Sequence, residues 1–405
     1  MEISKEKLAK TVKNLCSIGS RWPGTENETA AKNYLSKVLA LYSDTVEEQE
    51  FEYLHYTQKK ASLSIKSPIN KEIKCQAIQY SGNGVAEGEL IYAGEGWDEN
   101  FKTLTDVGIL FKGKIVVSNT NRPYVAGKNA AKSGAAGLIV ISDSPFNTIR
   151  KLTSQMGFNK QTEICAFGCP IPAVIISKND GENLISMASS IKTIASFEHD
   201  SMRRIEKSKN IIGAIKGKNK FSEEVIIGAH YDTQEGIEGA WDNASGCSAL
   251  VELCRLFSAN RPERTVKFCA FGCEEIGLFG STNYVNKIKS NLKNVTAYIN
   301  LDSTSSDTSF IRRVLASQKI LNLVLKIISE NTDWEANQTR AFSKLDHEQD
   351  SAEFFKNGVR CAWISEEGNP YFHTKYDNLK SINFNKLERS ARASFLVSSF
   401  FANTF

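Results

Sequence analysis

No stretch of the sequence approaches the ~18–20 consecutive apolar residues that a membrane-spanning helix needs, so membrane insertion by a helix is not expected. The first residues, "MEISKEKLAK", lack the apolar core of a signal peptide. The expected location is therefore the cytoplasm, or secretion if a leader has been trimmed. A strong charge of either sign is also missing. Lys plus Arg number 50 and Asp plus Glu 46, a net charge of +4. The lysines are scattered among acids and form no basic stripe, which gives nucleic acid no footprint. Nine cysteines are too dilute for a disulfide scaffold, their number is odd, and no two stand in a CxxC pair. Cys165 and Cys169 flank "AFG" and either pair or stay unpaired. Internal repeats and low-complexity segments are absent too.

What is present is a chain of 405 residues, long enough for two domains or one domain with a large insertion. Residues 5–16 and 25–41 read as helices, the second opening on Thr25 with Glu28 three residues on, a capping-box pattern. "TVEEQEFEYL" alternates as a strand does. Residues 56–205 have another texture. Short β runs ("GELIYAG", "GKIVVSN", "AAGLIVIS", "IPAVIIS") are separated by Gly, Asn, Asp and Pro. This is a smaller β-rich insertion without a cluster of His and acids. From about 210 onward strands and helices alternate, which predicts an α/β core with a mostly parallel, twisted sheet and helices on both faces. The expected domains are thus 1–55 with 206–405 as the core, and 56–205 as the insertion.

In an open α/β sheet, sites form outside the carboxyl ends of the strands. There the chain places its polar groups. His230 follows "EVIIGA", Glu274 and Glu275 follow "TVKFCAFGC", Asp302 ends "VTAYINL", and His373 lies nine residues past "CAWI". Asp242 stands in the acidic turn after His230. A lone His or Asp at a strand end is ordinarily a cap or a solvated loop residue; the joint placement is what singles these out. Imidazoles and carboxylates suit a divalent metal such as Zn²⁺. Two His and three carboxylates exceed what one catalytic zinc takes, and serve two ions if one carboxylate bridges. One Glu of the adjacent pair can then bind metal while the other works as a general base. Asp232, two past His230, is placed to orient the imidazole. Cys247, Cys254, Cys269 and Cys273 read as core packing, and His347 as a loop residue. Glu235 and Glu238 either face an incoming ammonium group or are solvated loop acids.

The motifs "AHYDT", "WDNASG", "FGCEEIGLFGS", "INLDS" and "YFHTKYD", in that order, resemble those of the co-catalytic di-zinc aminopeptidases of the bacterial leucyl aminopeptidase and glutamate carboxypeptidase kind. The segment 56–205 resembles a protease-associated domain, through "GKIVVSN", "KNAAKSGAAGLIVIS" and "IPAVIISKNDGENL". The resemblance implies that His230 and Asp302 bind one ion, Glu275 and His373 the other, and Asp242 both. Glu274 is then the catalytic base, and Asp232 orients His230. The implied cofactors are two Zn²⁺, with Mn²⁺ or Co²⁺ as substitutes. The implied substrates are peptides with a free N-terminus; composition gives no nucleic acid or membrane partner, and whether the chain is a monomer or a homodimer is left open. A dipeptidase, a carboxypeptidase or a one-zinc glutaminyl cyclase on the same fold is the alternative, and a non-catalytic receptor-like relative a further one. Two positions depart from the pattern: Trp241 adjoins the bridging Asp, and Ser303 stands where Met is frequent. Trp241 is where substrate preference is first expected.

Overall fold

The structure is a computed structural model, and it describes residues 2–154, 158–159, 164–165, 168–219, 223–305, 307–308, 311–332, 339–343 and 349–404. The chain folds as two compact units, one formed by residues 1–53 and 206–405, the other by residues 54–205.

The first unit is built on a sheet whose strands carry the site. In chain order they are β1 (Glu224–His230), β2 (Thr265–Phe271), β3 (Val295–Asn300), β4 (Ile311–Ala316), β5 (Thr339–Phe342) and β6 (Cys361–Glu367). Their spatial order is β5-β4-β6-β3-β1-β2. Neighbours in the central run β6-β3-β1-β2 are all parallel. β4 pairs antiparallel with β6 and parallel with β5, and residues 211–215 pair antiparallel with β2. The helices are α1 (Lys5–Ile18), α2 (Glu26–Ala40), α3 (Ser245–Ala259), α4 (Phe279–Lys287), α5 (Leu321–Asn331), α6 (Ser351–Lys356) and α7 (Phe384–Asn403).

The alternation of side chains along a strand sorts β1 between two cores. Val225, Ile227 and Ala229 join one apolar cluster with residues of α1, α2, α3 and α7. Ile226 joins another with Tyr284 of α4 and Phe354 of α6. Strands covered on both faces read as the near-continuous apolar runs seen here. Gly228 is needed for closeness: a Cβ would lie 2.7 Å from the Phe271 ring.

α2 starts as its sequence suggests, but with one change. The Thr25 hydroxyl accepts from the Glu28 N–H at 3.2 Å. Glu28 reaches back past the cap to accept from the Gly24 N–H at 2.7 Å. Its other oxygen accepts from the Ser208 hydroxyl, so the carboxyl ties the helix to a strand instead of closing a capping box.

The second unit is a smaller α/β layer. Gly84–Tyr92, Ile115–Ser118, Gly137–Ile141 and Ala173–Ile176 form a parallel run in that order. Cys75–Ala77 pairs antiparallel with its last strand and residues 194–199 with its first. Helices Asp98–Asp106, Pro123–Lys132 and Lys178–Ser190 accompany it. Ile115 and Val117 face one apolar cluster, and Val116 another. Among the described residues, no helix of either unit is long and apolar enough to cross a membrane. Cys169 is a buried free thiol, and the side chain of Cys165 lies outside the described residues.

Candidate metal centre

Parallel strands deliver their carboxyl ends to one edge of the sheet, and the polar residues cluster there. β1 ends on His230, Glu274 and Glu275 follow β2, Asp302 follows β3, and His373 follows β6. Asp242 belongs to the turn Ala240–Ala244 that leads into α3, and its peptide bond to Asn243 is cis.

The geometry falls into two groups. Ligand atoms of His230, Glu274 and Asp302 lie within 4.8 Å of one another, as do those of Asp242, Glu275 and His373. Asp242 faces both. Its Oδ1 is 3.0 Å from His230 Nε2, and its Oδ2 is 3.2 Å from His373 Nε2. His230 Nε2 is also 3.4 Å from Asp302 Oδ1, and His373 Nε2 is 2.9 Å from Glu275 Oε2. Both ring nitrogens of His230 are buried yet make no hydrogen bond. An unpartnered buried polar atom costs about 1–3 kcal/mol. A nitrogen lone pair held among carboxylate oxygens is a fitting ligand for a divalent cation, and so is the donor set as a whole.

The electrostatics agree. Burial pulls the His230 imidazole down, but Glu274, Asp232, Asp242 and Asp302 outweigh it and raise its pKa well above the ordinary value. His373 is likewise lowered by burial but raised by Glu275 and Asp242, to about 10. Burial pushes Asp242 up, yet the two imidazoles leave it well below the usual carboxylate range. Glu274 is raised well above its ordinary value by burial, with Asp350, Glu275 and Asp302 adding to the rise against His230. A pocket that draws protons onto two buried imidazoles is one that stabilises positive charge.

The surroundings give these residues their partners. Asp232 Oδ1 is 3.7 Å from His230 Nδ1, an ion-pair distance, and Asp232 is among the groups that raise the imidazole. Its carboxylate also accepts from the N–H groups of Glu274 (3.0 Å) and Glu275 (3.1 Å). At the start of α3, Asn243 Oδ1 accepts from the Gly246 N–H at 2.9 Å, and also from Ser303 N–H at 3.3 Å. Trp241 is 5% exposed and lies in the apolar core, edge-on to Phe372 at 5.8 Å, so its ring is structural. Glu238 is half-buried, and its Oε1 accepts from the Leu379 N–H at 2.7 Å. Cys247, Cys254, Cys269 and Cys273 are buried thiols. His347 lies outside the described residues.

Four residues that build the site went unread in the sequence. Asp377 accepts from the N–H groups of Trp241 (2.7 Å) and Asp242 (3.1 Å) and so holds the turn. Arg21, fully buried, donates to the carbonyls of Tyr231, Glu238 and Gly239. Trp363 Nε1 donates to the Asp302 carbonyl at 2.8 Å. Gln234 donates to Glu275. Asp377 lies inside "YFHTKYD" and Trp363 inside "CAWI", but the sequence singles out neither.

Comparison with known proteins gives the same pattern a wider setting. Residues 210–397 match peptidase family M28 and residues 78–184 match the PA domain. Aminopeptidase YwaD of Bacillus subtilis (strain 168) is 29% identical over 345 residues, covering 80% of this chain and 70% of that protein. A probable glutamate carboxypeptidase AMP1 of Arabidopsis thaliana is 23% identical over 282 residues, 57% of this chain and 40% of that one. The structure of an aminopeptidase from Aneurinibacillus sp. strain AM-1 superposes with a TM-score of 0.75 at 24% identity, over 99% of this chain and 94% of that one, a shared fold.

Proposed function

This chain belongs to peptidase family M28 and carries a PA domain, and on that footing we propose that it is a two-zinc aminopeptidase acting on peptides with a free N-terminus. The observation that carries the reading is Asp242, which turns one carboxylate oxygen toward each of two imidazoles at 3.0 and 3.2 Å. His230 and Asp302 would hold one ion, Glu275 and His373 the other, with Asp242 shared. When bound, such a pair polarises the scissile carbonyl and acidifies the attacking water. Glu274 takes the proton from that water and returns it to the leaving amine nitrogen. Burial and neighbouring carboxylates raise its proton affinity, the direction a general base at neutral pH needs. Asp232 holds the backbone of the two glutamates in place through their N–H groups.

The test is a panel of aminoacyl chromogenic substrates with N-acetylated controls. Cleavage of the free-amine forms and loss on acetylation is expected; equal cleavage of both would reassign the chain to a carboxypeptidase or endopeptidase. Metal content supplies a second check, since one tightly bound zinc per chain with no activation by a second equivalent would point to cyclase chemistry. Glu274→Ala should keep its zinc and lose about 10²- to 10⁴-fold in kcat. Wild-type turnover by that variant would remove Glu274 from the mechanism.

A further inference from the structure

Glu274 and Glu275 are chemically identical neighbours, yet the proposed mechanism gives them different work. Something must decide which is the ligand and which the base. Gln234, 1% exposed, makes that difference on the Glu275 side. Its backbone N–H donates to Glu275 Oε1 at 3.2 Å. Its side-chain Nε2 donates to Glu275 Oε2 at 3.0 Å and to the Glu275 carbonyl at 3.3 Å. The orientation of the amide follows from its neighbours. Both are acceptors, so the NH₂ group must face them, and Gln234 Oε1 is left without a partner.

Glu275 is therefore held at four points. Asp232 takes its N–H, and Gln234 takes its carbonyl and both carboxylate oxygens. Oε2, fixed in this way, is the oxygen that lies 2.9 Å from His373 Nε2. Glu274 is treated differently. Asp232 takes its N–H, and among the described residues no hydrogen bond reaches its carboxylate.

We propose that Gln234 is a positioning residue that assigns the two roles. It pins Glu275 as a ligand beside His373 and Asp242, and leaves the Glu274 carboxylate free to turn between water and leaving group. The assignment rests on the two-zinc reading. A donor that fixes a ligand oxygen acts on the ion bound there and not on the other ion. Loss of such outer partners commonly costs 10–100-fold in metal affinity.

The experiment measures stepwise zinc affinity of the full chain by competition with a chromogenic chelator, for the wild type, Gln234→Leu and Gln234→Met. Both variants keep the backbone N–H and remove the side-chain donor, and Met keeps the unbranched shape. One zinc equivalent should weaken about 10- to 100-fold while the other stays at its wild-type affinity and the zinc-free protein unfolds near its wild-type midpoint. Unchanged affinity for both equivalents, an equal loss in both, or failure of both variants to fold would each overturn the assignment. Fewer than two zinc equivalents on the wild type would instead fault the two-zinc reading, before any variant is made.

Discussion

At the residue scale, the site depends on groups that never touch substrate. Asp377 is buried and anchors two consecutive N–H groups of the turn that holds Asp242. Burial, with Asp242 adding, pushes its carboxyl up to about 8. Asp377→Asn keeps one acceptor and turns the other into a donor against an N–H. A loss of about 1–3 kcal/mol is expected by urea unfolding, the cost of one unsatisfied buried group. Trp241 makes a contrasting case. Its indole packs on Phe372 inside the core, so Trp241→Phe should lower stability while the ranking of aminoacyl substrates by kcat/KM stays as in the wild type. A changed ranking would return the side chain to the substrate pocket. The position of Trp241 beside Asp242 was legible in the sequence, but the direction of its ring was not, because a one-residue neighbour can point to the site or away from it.

At the element scale, α2 is docked through a buried carboxyl. Glu28 accepts from Gly24, Ser208 and, at 3.5 Å, the Tyr231 hydroxyl. Burial, opposed by those hydrogen bonds, raises its pKa from 4.5 to about 7. The sign follows directly. A carboxyl whose folded pKa lies above its unfolded one binds more protons when folded, so its contribution is complete below pH 4.5 and is lost as pH rises through about 7. The stability of the wild type should fall across that window by a few kcal/mol at most, at about 1.4 kcal/mol per pKa unit. Glu28→Gln should flatten that part of the profile in unfolding measured from pH 4 to 8. A profile unchanged by the substitution would show that Glu28 keeps an ordinary pKa. The helix itself was legible, since Thr25 caps it as the sequence suggests. The partner of Glu28 was not, because Ser208 lies 180 residues away.

At the scale of the whole molecule, the proposed ions tie β1, β2, β3, β6 and the turn before α3 to one point. Ligands drawn from so many elements make binding and folding linked. Removal of zinc by a chelator should lower the unfolding midpoint of the chain, and zinc at about 1,000 times its Kd should restore about 4 kcal/mol. A chelator-insensitive midpoint would argue against two ions in the wild-type site. The sequence by itself determined the alternation of strands and helices, the two textures of the chain, and the seven polar residues at strand ends or in the turns beyond them, because periodicity, turn residues and local order are properties of neighbours along the chain. Tertiary structure alone decided how those residues share the work. Asp232 serves the backbone of Glu274 and Glu275 as well as facing the His230 ring, Asp377 holds a turn 136 residues away, and Gln234 clamps Glu275 from 41 residues away. The reason is directional. A hydrogen bond needs its donor and acceptor aligned within about 3 Å, and that alignment exists only once the parallel strands have brought their ends to a common edge.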